Sequence, residues 1–150
     1  MSPDPIRVLF VCTGNSARSQ ISEALLAVFG GPDFQAFSAG TDPQGVRPET
    51  VRVLNELCID WSGARSKAVT EFIGQPFDYV ITVCDRARQS CPVFPGSNVT
   101  LHWDLADPAE VEGSEEDRME AFRCARAEVT DRVLKFIEEV QSADRVPVRA

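Results

Sequence analysis

Four short apolar runs along the chain have the composition of buried strands. They cover residues 6–11, 34–38, 77–84 and 99–103. The first and third runs are dense in β-branched and aromatic residues, which is typical of strands buried on both faces. Prolines, glycines or polar segments separate each run from the next, so each run predicts one strand.

Between these runs the apolar residues change to helical spacing. This spacing predicts a helix over residues 17–29 that ends at Gly30-Gly31-Pro32, a second helix that begins at Pro48, and a short third helix over residues 66–72. The predicted apolar stripe of the second helix consists of Val51, Leu54 and Leu57.

A long final helix is predicted to begin after Ser114, with Asp117 in the capping-box position. Residues 85–98 and 104–113 are polar and predict loops, and residues 141–150 predict a frayed tail. The apolar stripe of the final helix consists of Phe122, Ala125, Val129, Val133, Phe136, Ile137 and Val140.

The alternation of strands and helices predicts the fold class. We expect residues 1–150 to form a single α/β domain, an open, doubly wound, four-stranded parallel sheet with helices on both faces. Ligands of such sheets bind at the carboxyl ends of the strands. Cys12, Cys84 and the loop after Trp103 all follow predicted strands, so we expect them to meet at one edge.

Composition and charge narrow the possible partners. With 15 basic and 23 acidic residues the net charge is -8, which argues against nucleic acid or an anionic membrane as the partner. A small oxyanion is not excluded, because its capture depends on the local field. No segment resembles a signal peptide or a membrane span, so a cytoplasmic location is expected. Five cysteines in that compartment indicate redox chemistry or a metal more than structural disulfides.

The strongest chemical motif is VLFVCTGNSARSQ at residues 8–20, where the first strand meets the first helix. Backbone N–H groups of such a turn, the helix dipole and the guanidinium of Arg18 can all bind a tetrahedral oxyanion, and the same donors would stabilise a Cys12 thiolate. A buried strand-end cysteine before an ordinary helix is the alternative, but it leaves the positions of Gly14, Arg18 and Ser19 unexplained. The predicted oxyanion-binding residues are Thr13, Gly14, Asn15, Ser16, Ala17 and Arg18.

This motif and three others resemble the low-molecular-weight protein tyrosine phosphatase superfamily, and within it the thioredoxin-coupled arsenate reductases. The resemblance covers residues 8–139. The other three motifs are Ser38-Ala39-Gly40, Cys84 followed by Cys91-Pro92, and His102-Trp103 ahead of Asp107-Pro108.

Three features favour the reductase branch of this superfamily. Gln20 follows the loop serine where phosphatases usually have proline. Ala109-Glu110 follows Asp107-Pro108 where many phosphatases have an aromatic pair. Cys84 and Cys91 have the Cys-x6-Cys spacing of the two redox cysteines of the reductases, and ester hydrolysis needs neither.

The resemblance implies a cysteine relay that reduces arsenate with thioredoxin as reductant and without a cofactor. In this relay a first cysteine attacks arsenate, a second resolves the adduct, and a third carries the disulfide to thioredoxin. The implied roles are nucleophile for Cys12, thiol partner for Ser19, oxyanion binding for Arg18, general acid for Asp107, and resolving and final thiols for Cys84 and Cys91.

Several alternatives stay open at this stage. Cys84 can be a core residue at a strand end, and Asp107 a turn residue before proline. His102 is interpreted as a hydrogen-bonded strand side chain, and Cys58 and Cys124 as structural. A phosphatase, a reductase resolved by glutaredoxin or a low-molecular-weight thiol, and a redox or oxyanion sensor are the competing functions.

No metal is predicted. Cys-x6-Cys is not a usual zinc spacing. Some members of the superfamily bind potassium beside the loop, and Asn15, Glu23 and Ser38 match that neighbourhood. Lys67 falls where an acidic ligand is expected, so its ammonium is predicted to replace the cation.

Overall fold

A four-stranded parallel sheet forms the centre of the fold in the computed structural model, which describes residues 4–95 and 98–145. The strand order is β2-β1-β3-β4, and all three pairs are parallel. This order confirms the predicted open, doubly wound α/β fold. The strands are β1 (Ile6–Cys12), β2 (Phe34–Gly40), β3 (Tyr79–Thr82) and β4 (Val99–His102).

Four α-helices surround the sheet in the described part of the chain. The first packs on β1, β2 and the long final helix, and the second packs against that final helix. The third packs on β1 and β3. The helices are α1 (Arg18–Gly30), α2 (Pro48–Asn55), α3 (Asp85–Ser90) and α4 (Glu115–Arg145).

Aromatic residues cover both faces of the sheet. On one face Phe136 of α4 packs edge-on against Tyr79 of β3, with ring centroids 5.0 Å apart. On the other face Phe37 of β2 packs edge-on against Phe72 and Phe77. Because β1 lies between these two layers, its residues 8–11 are fully buried, which explains why its sequence is apolar at every position.

The main error in the predicted elements is α3, which lies within the predicted loop 85–98. Its six residues are mostly charged or polar, and only Ala87 is buried, so no apolar periodicity marks it. The Sγ of Cys84 accepts the Ala87 amide (3.4 Å) and caps its N-terminus.

The buried face of α2 also differs from the prediction. Val53 and Leu54 are fully buried, whereas Leu57 lies beyond the end of the helix and is 42% exposed. Within the predicted short helix, only a single 3-10 turn, Val69–Phe72, forms.

Helix α4 confirms its predicted start and contradicts its predicted end. Ser114 Oγ accepts the Asp117 amide, and the Asp117 carboxylate accepts the Ser114 amide, both at 3.1 Å. The helix continues to Arg145, so residues 141–145 of the predicted frayed tail are helical, and Val140 is its last buried residue. Residues 146–150 lie outside the described residues. No described helix is long and apolar enough to span a bilayer.

Candidate active site

Cys12 is the last residue of β1 and lies at the base of the loop that leads into α1. Its thiol is buried, and its Sγ lies 2.7 Å from Ser19 Oγ and 3.1 Å from the Asn15 amide, which donates to it. The loop therefore turns both a backbone donor and a side-chain hydroxyl toward the sulfur, as the sequence predicted for this motif.

Asn15 fixes the shape of this loop. It adopts a left-handed backbone conformation (φ 47°), which asparagine tolerates better than most residues. Its buried amide group donates to Ser19 Oγ (2.8 Å) and Ser38 Oγ (2.9 Å), and its oxygen accepts from the Lys67 amide and from Gln20 Nε2. Four fixed partners thus hold the residue whose N–H group points at Cys12.

Gly40 allows β2 to approach the loop closely. It pairs with Cys12 in the sheet register, and a Cβ at this position would lie 2.5 Å from the Thr13 carbonyl oxygen. A side chain would therefore displace the loop backbone. This contact explains physically why glycine ends the Ser38-Ala39-Gly40 motif.

Arg18 and Asp107 meet in the wall of the pocket above Cys12. The guanidinium of Arg18 donates to the Leu105 carbonyl (3.1 Å), and its other terminal nitrogen lies 3.5 Å from Asp107 Oδ2. Asp107 Oδ1 accepts the Ala109 amide at 3.0 Å, which orients the carboxylate at the start of a short turn. Both groups are thereby held in place beside the cavity above Cys12.

That cavity has a volume of about 530 Å³ and opens to solvent. Five predicted oxyanion-binding residues line it, whereas Asn15 stays beneath the loop and acts through its hydrogen bonds. The sequence did not indicate Gln44 or Arg86, because they come from a separate loop and from α3, which only the tertiary fold brings to the cavity; Leu105 and Glu110 belong to the loop after Trp103, which was expected at this edge. The lining residues are Cys12, Thr13, Gly14, Ser16, Ala17, Arg18, Gln44, Cys84, Arg86, Leu105, Asp107 and Glu110.

Cys84 shares this cavity and Cys91 does not. Cys84 is buried, and its Sγ lies 3.3 Å from Thr13 Oγ1 in the Cys12 loop. Cys91 follows α3, is half-buried and lines a separate cavity of about 430 Å³. Cys58 and Cys124 are exposed and lie outside both cavities, and all five cysteines are free thiols. The fold thus brings two of the three predicted redox cysteines together.

The pKa of the Cys12 thiol agrees only in part with the expectation that the loop donors stabilise a thiolate. Burial raises the pKa of its thiol above the ordinary value, while the hydrogen bonds from Ser19 and the Asn15 amide lower it. Burial is the larger effect, so the pKa of the Cys12 thiol lies above its ordinary value. Burial likewise raises the pKa of Cys91.

Replacing Ser19 by alanine is expected to slow alkylation of Cys12 at neutral pH by about tenfold or more, since a hydrogen bond to a charged group contributes about 1.5–3 kcal/mol. The hydrogen bond from Ser19 lowers the pKa of Cys12, so its loss raises that pKa. Less thiolate then forms at pH 7, and the pH profile of the alkylation rate moves to higher pH. Iodoacetamide labelling, followed by peptide mass spectrometry, measures this rate.

Ser22→Ala is the matched control, because buried Ser22 donates to the Arg18 carbonyl and, among the described residues, forms no hydrogen bond with Cys12. An unchanged labelling profile in Ser19→Ala, or an equal change in Ser22→Ala, would contradict the role given to the Ser19 hydroxyl.

Lys67 occupies the neighbourhood in which some superfamily members hold potassium. Its ammonium lies 3.5 Å from Glu23 Oε1, and Ser38 Oγ donates to the same oxygen at 2.6 Å. Both charged side chains are mostly buried. The positive charge beside Glu23 is therefore supplied by the chain itself, and these residues do not fit a bound monovalent cation.

The comparisons with known proteins agree with this geometry. The model of the family described as low molecular weight phosphotyrosine protein phosphatase matches residues 7–146. An arsenate reductase of Halalkalibacterium halodurans is 36% identical over 131 residues, which cover 87% of this chain and 94% of that protein.

Solved structures with a similar fold are also described as arsenate reductases. A structure described as an arsenate reductase in the phosphate binding state has a TM-score of 0.72 and 29% identity, and the match covers 89% of this chain and 98% of that one. A thioredoxin-dependent arsenate reductase of Corynebacterium glutamicum has a TM-score of 0.71 and 30% identity, with coverage of 95% and 65%. The chain belongs to the low molecular weight phosphotyrosine protein phosphatase family, and its relatives there include proteins named arsenate reductases.

Proposed function

We propose that this protein reduces arsenate to arsenite through the thiols of Cys12, Cys84 and Cys91, with thioredoxin as the final reductant. The observation that carries the proposal is the second thiol in the oxyanion pocket: Cys84 Sγ lies 3.3 Å from Thr13 of the Cys12 loop. Relatives named arsenate reductases, one of them thioredoxin-dependent, support the same function. A thioredoxin partner also agrees with the predicted cytoplasmic location.

In the first step the Cys12 thiolate attacks arsenic. The loop amides and the Arg18 guanidinium hold the arsenate oxygens. One arsenate oxygen takes up protons, with Asp107 as general acid, and leaves as water. The product is a Cys12–arsenic(V) thioester, and no electrons have yet been transferred.

In the second step the Cys84 thiolate attacks the Cys12 sulfur. The S–As bond breaks, its electron pair stays on arsenic, and arsenic(III) leaves as arsenite with a Cys12–Cys84 disulfide behind. The Val83 amide donates to the Val11 carbonyl and so continues the ladder between β1 and β3 past Thr82. In this register Cys84 lies one residue beyond the position opposite Cys12, and at parallel-strand spacing their Cα atoms are about 6 Å apart, within the range of disulfides. Because successive side chains of a strand alternate between faces, Cys84 must turn to reach the Cys12 sulfur.

The third step requires α3 to unfold. Cys84 and Cys91 flank this helix, and a seven-residue helical separation places their Cα atoms about 10 Å apart, beyond the roughly 7 Å limit for a disulfide. Attack of Cys91 on Cys84 therefore needs residues 85–90 to leave the helical conformation. Cys12 is released as a thiolate, and the Cys84–Cys91 disulfide is reduced by exchange with the thioredoxin dithiol.

Replacing Asp107 by asparagine is expected to slow the first chemical step by about 100- to 10,000-fold, the usual contribution of general acid catalysis. Asparagine keeps the shape and the bond from the Ala109 amide but cannot donate a proton as the carboxylic acid does. Single-turnover formation of the Cys12 adduct measures this step.

Glu110→Gln is the control, because Glu110 lines the same cavity and forms no ion pair with Arg18 in the part of the chain that the structure describes. If Asp107→Asn slows this step by well under tenfold, Asp107 is a loop residue and not the general acid.

Phosphate-ester hydrolysis is the second candidate, favoured by the fact that Cys12, Arg18 and Asp107 line one cavity. Water would then resolve a phospho-Cys12 intermediate, and Cys84 and Cys91 would be unnecessary. Turnover of arsenate with thioredoxin, thioredoxin reductase and NADPH, measured beside hydrolysis of para-nitrophenyl phosphate, separates the two activities. Exchange of thioredoxin for glutaredoxin or glutathione identifies the reductant.

A further inference from the structure

Three metal-ligating side chains meet where β4 ends. The imidazole of His102 and the carboxylates of Asp85 and Asp104 each place one ligand atom within 4.8 Å of the other two. His102 Nε2 lies 3.3 Å from Asp85 Oδ1. Two ligand atoms of a tetrahedral zinc ion, each about 2.0–2.2 Å from the metal, are separated by about 3.3–3.5 Å.

The second ring nitrogen of His102 is held by a hydroxyl. Nδ1 lies 2.8 Å from Thr82 Oγ1, and this contact orients the ring with Nε2 beside the carboxylate of Asp85. When a metal binds Nε2, Nδ1 carries the proton and donates it to that hydroxyl. A metal-bound histidine usually donates its second N–H to an oxygen in this way.

Among the residues that the structure describes, the imidazole nitrogen that faces this site has no hydrogen-bond partner, and the carboxylates have no ion-pair contact with lysine or arginine. Nε2 is buried and has no hydrogen-bond partner in the described part of the chain. Among the described residues, neither Asp85 nor Asp104 forms an ion pair with a lysine or arginine. One imidazole nitrogen and two carboxylates thus converge at this point, and both carboxylates are exposed and open to solvent.

We propose that Asp85, His102 and Asp104 bind a divalent first-row metal ion, with zinc as the best fit and water in the fourth position. One nitrogen and two oxygen ligands suit such an ion. The ion would join the first residue of α3 to the end of β4, directly beside Cys84. This site is separate from the proposed reduction of arsenate and stands or falls independently of it.

The experiment uses the fact that His102 is the sole histidine of the chain. In 15N-labelled protein held in a non-thiol reductant, Zn²⁺ is titrated while the two imidazole nitrogens are followed by NMR. We expect a saturable change of the Nε2 signal at one equivalent of Zn²⁺, while Nδ1 stays protonated. Zinc bound only by thiols does not bond Nε2, and its effect on these signals does not depend on Asp85 or Asp104.

Asp85→Asn and Asp104→Asn should each weaken this response at least about tenfold, since even outer-shell partners contribute 10- to 100-fold. Asp131→Asn, a change of an exposed aspartate on α4, is the matched control and should bind Zn²⁺ like the wild type. An imidazole unchanged at tenfold excess Zn²⁺, or a response that either cluster substitution leaves at full strength, would overturn the three-residue site.

Discussion

Replacing Cys12 by serine is expected to reduce both arsenate reduction and hydrolysis of para-nitrophenyl phosphate to background, a loss of at least about three orders of magnitude. A serine hydroxyl stays protonated where both reactions need a thiolate. The substitution keeps the size of the side chain and its contact with Ser19, so the loop should retain its shape. Initial rates with each substrate measure the loss.

Cys58→Ser and Cys124→Ser are the controls, because these thiols are exposed and lie outside the cavity above Cys12. Both variants should keep wild-type activity. Thermal unfolding of Cys12→Ser tests whether it is folded. More than a trace of either activity in folded Cys12→Ser would place the nucleophile elsewhere.

Serine substitutions at Cys84 and Cys91 are expected to stop arsenate reduction at two different points. Cys84→Ser should release no arsenite, since no thiolate remains to break the S–As bond. Cys91→Ser should release about one arsenite per molecule and then stall, because the Cys12–Cys84 disulfide cannot pass to the surface. Arsenite per enzyme, measured with thioredoxin present, distinguishes the two variants.

Hydrolysis of para-nitrophenyl phosphate is the internal control for these two variants. It should largely survive in both, because water can resolve a phospho-Cys12 intermediate without a second thiol. Serine also retains the N-terminal cap that Cys84 gives to α3. Arsenate turnover like that of the wild type in both variants would favour direct resolution of Cys12 by an external thiol.

The sequence predicted the fold and the loop because their signals are local. The continuous apolar run of β1 follows from burial on both faces, and Ser114 with Asp117 marks the start of α4 without tertiary information. Cys12 and Arg18 were found because their fixed spacing within one turn determines their geometry. For Cys84, its place after a predicted strand, where parallel strands end together, indicated that it would share the pocket.

The predictions from the sequence were wrong or incomplete where contacts between distant segments determine the structure. Helix α3 has one buried residue and a cysteine cap, so periodicity could not reveal it. In α2 the helix ends before Leu57, and Val53 turns toward the core instead. The contacts of Gly40 with the loop and of Asn15 with Lys67 join segments far apart in the chain. These contacts depend on the packed fold and have no local sequence signal.

The pKa of Cys12 is a further example of a property that local reading misses. The loop donors were expected to favour the thiolate, and they do lower the pKa, but burial of the sulfur among packed residues raises it by more. The degree of burial is a consequence of the whole fold. An oxyanion motif therefore indicates which groups meet, but not whether burial or hydrogen bonding has the larger effect on the pKa of the thiol.

The relay is tested most directly by mapping disulfides in Cys91→Ser after one equivalent of arsenate in the absence of thioredoxin. The protein is quenched by alkylation and digested without reductant, and its peptides are identified by mass spectrometry. The relay predicts one Cys12–Cys84 disulfide per arsenite released, with Cys58 and Cys124 alkylated. Arsenite release with Cys12 and Cys84 both still alkylatable, or a disulfide between other cysteines, would contradict it.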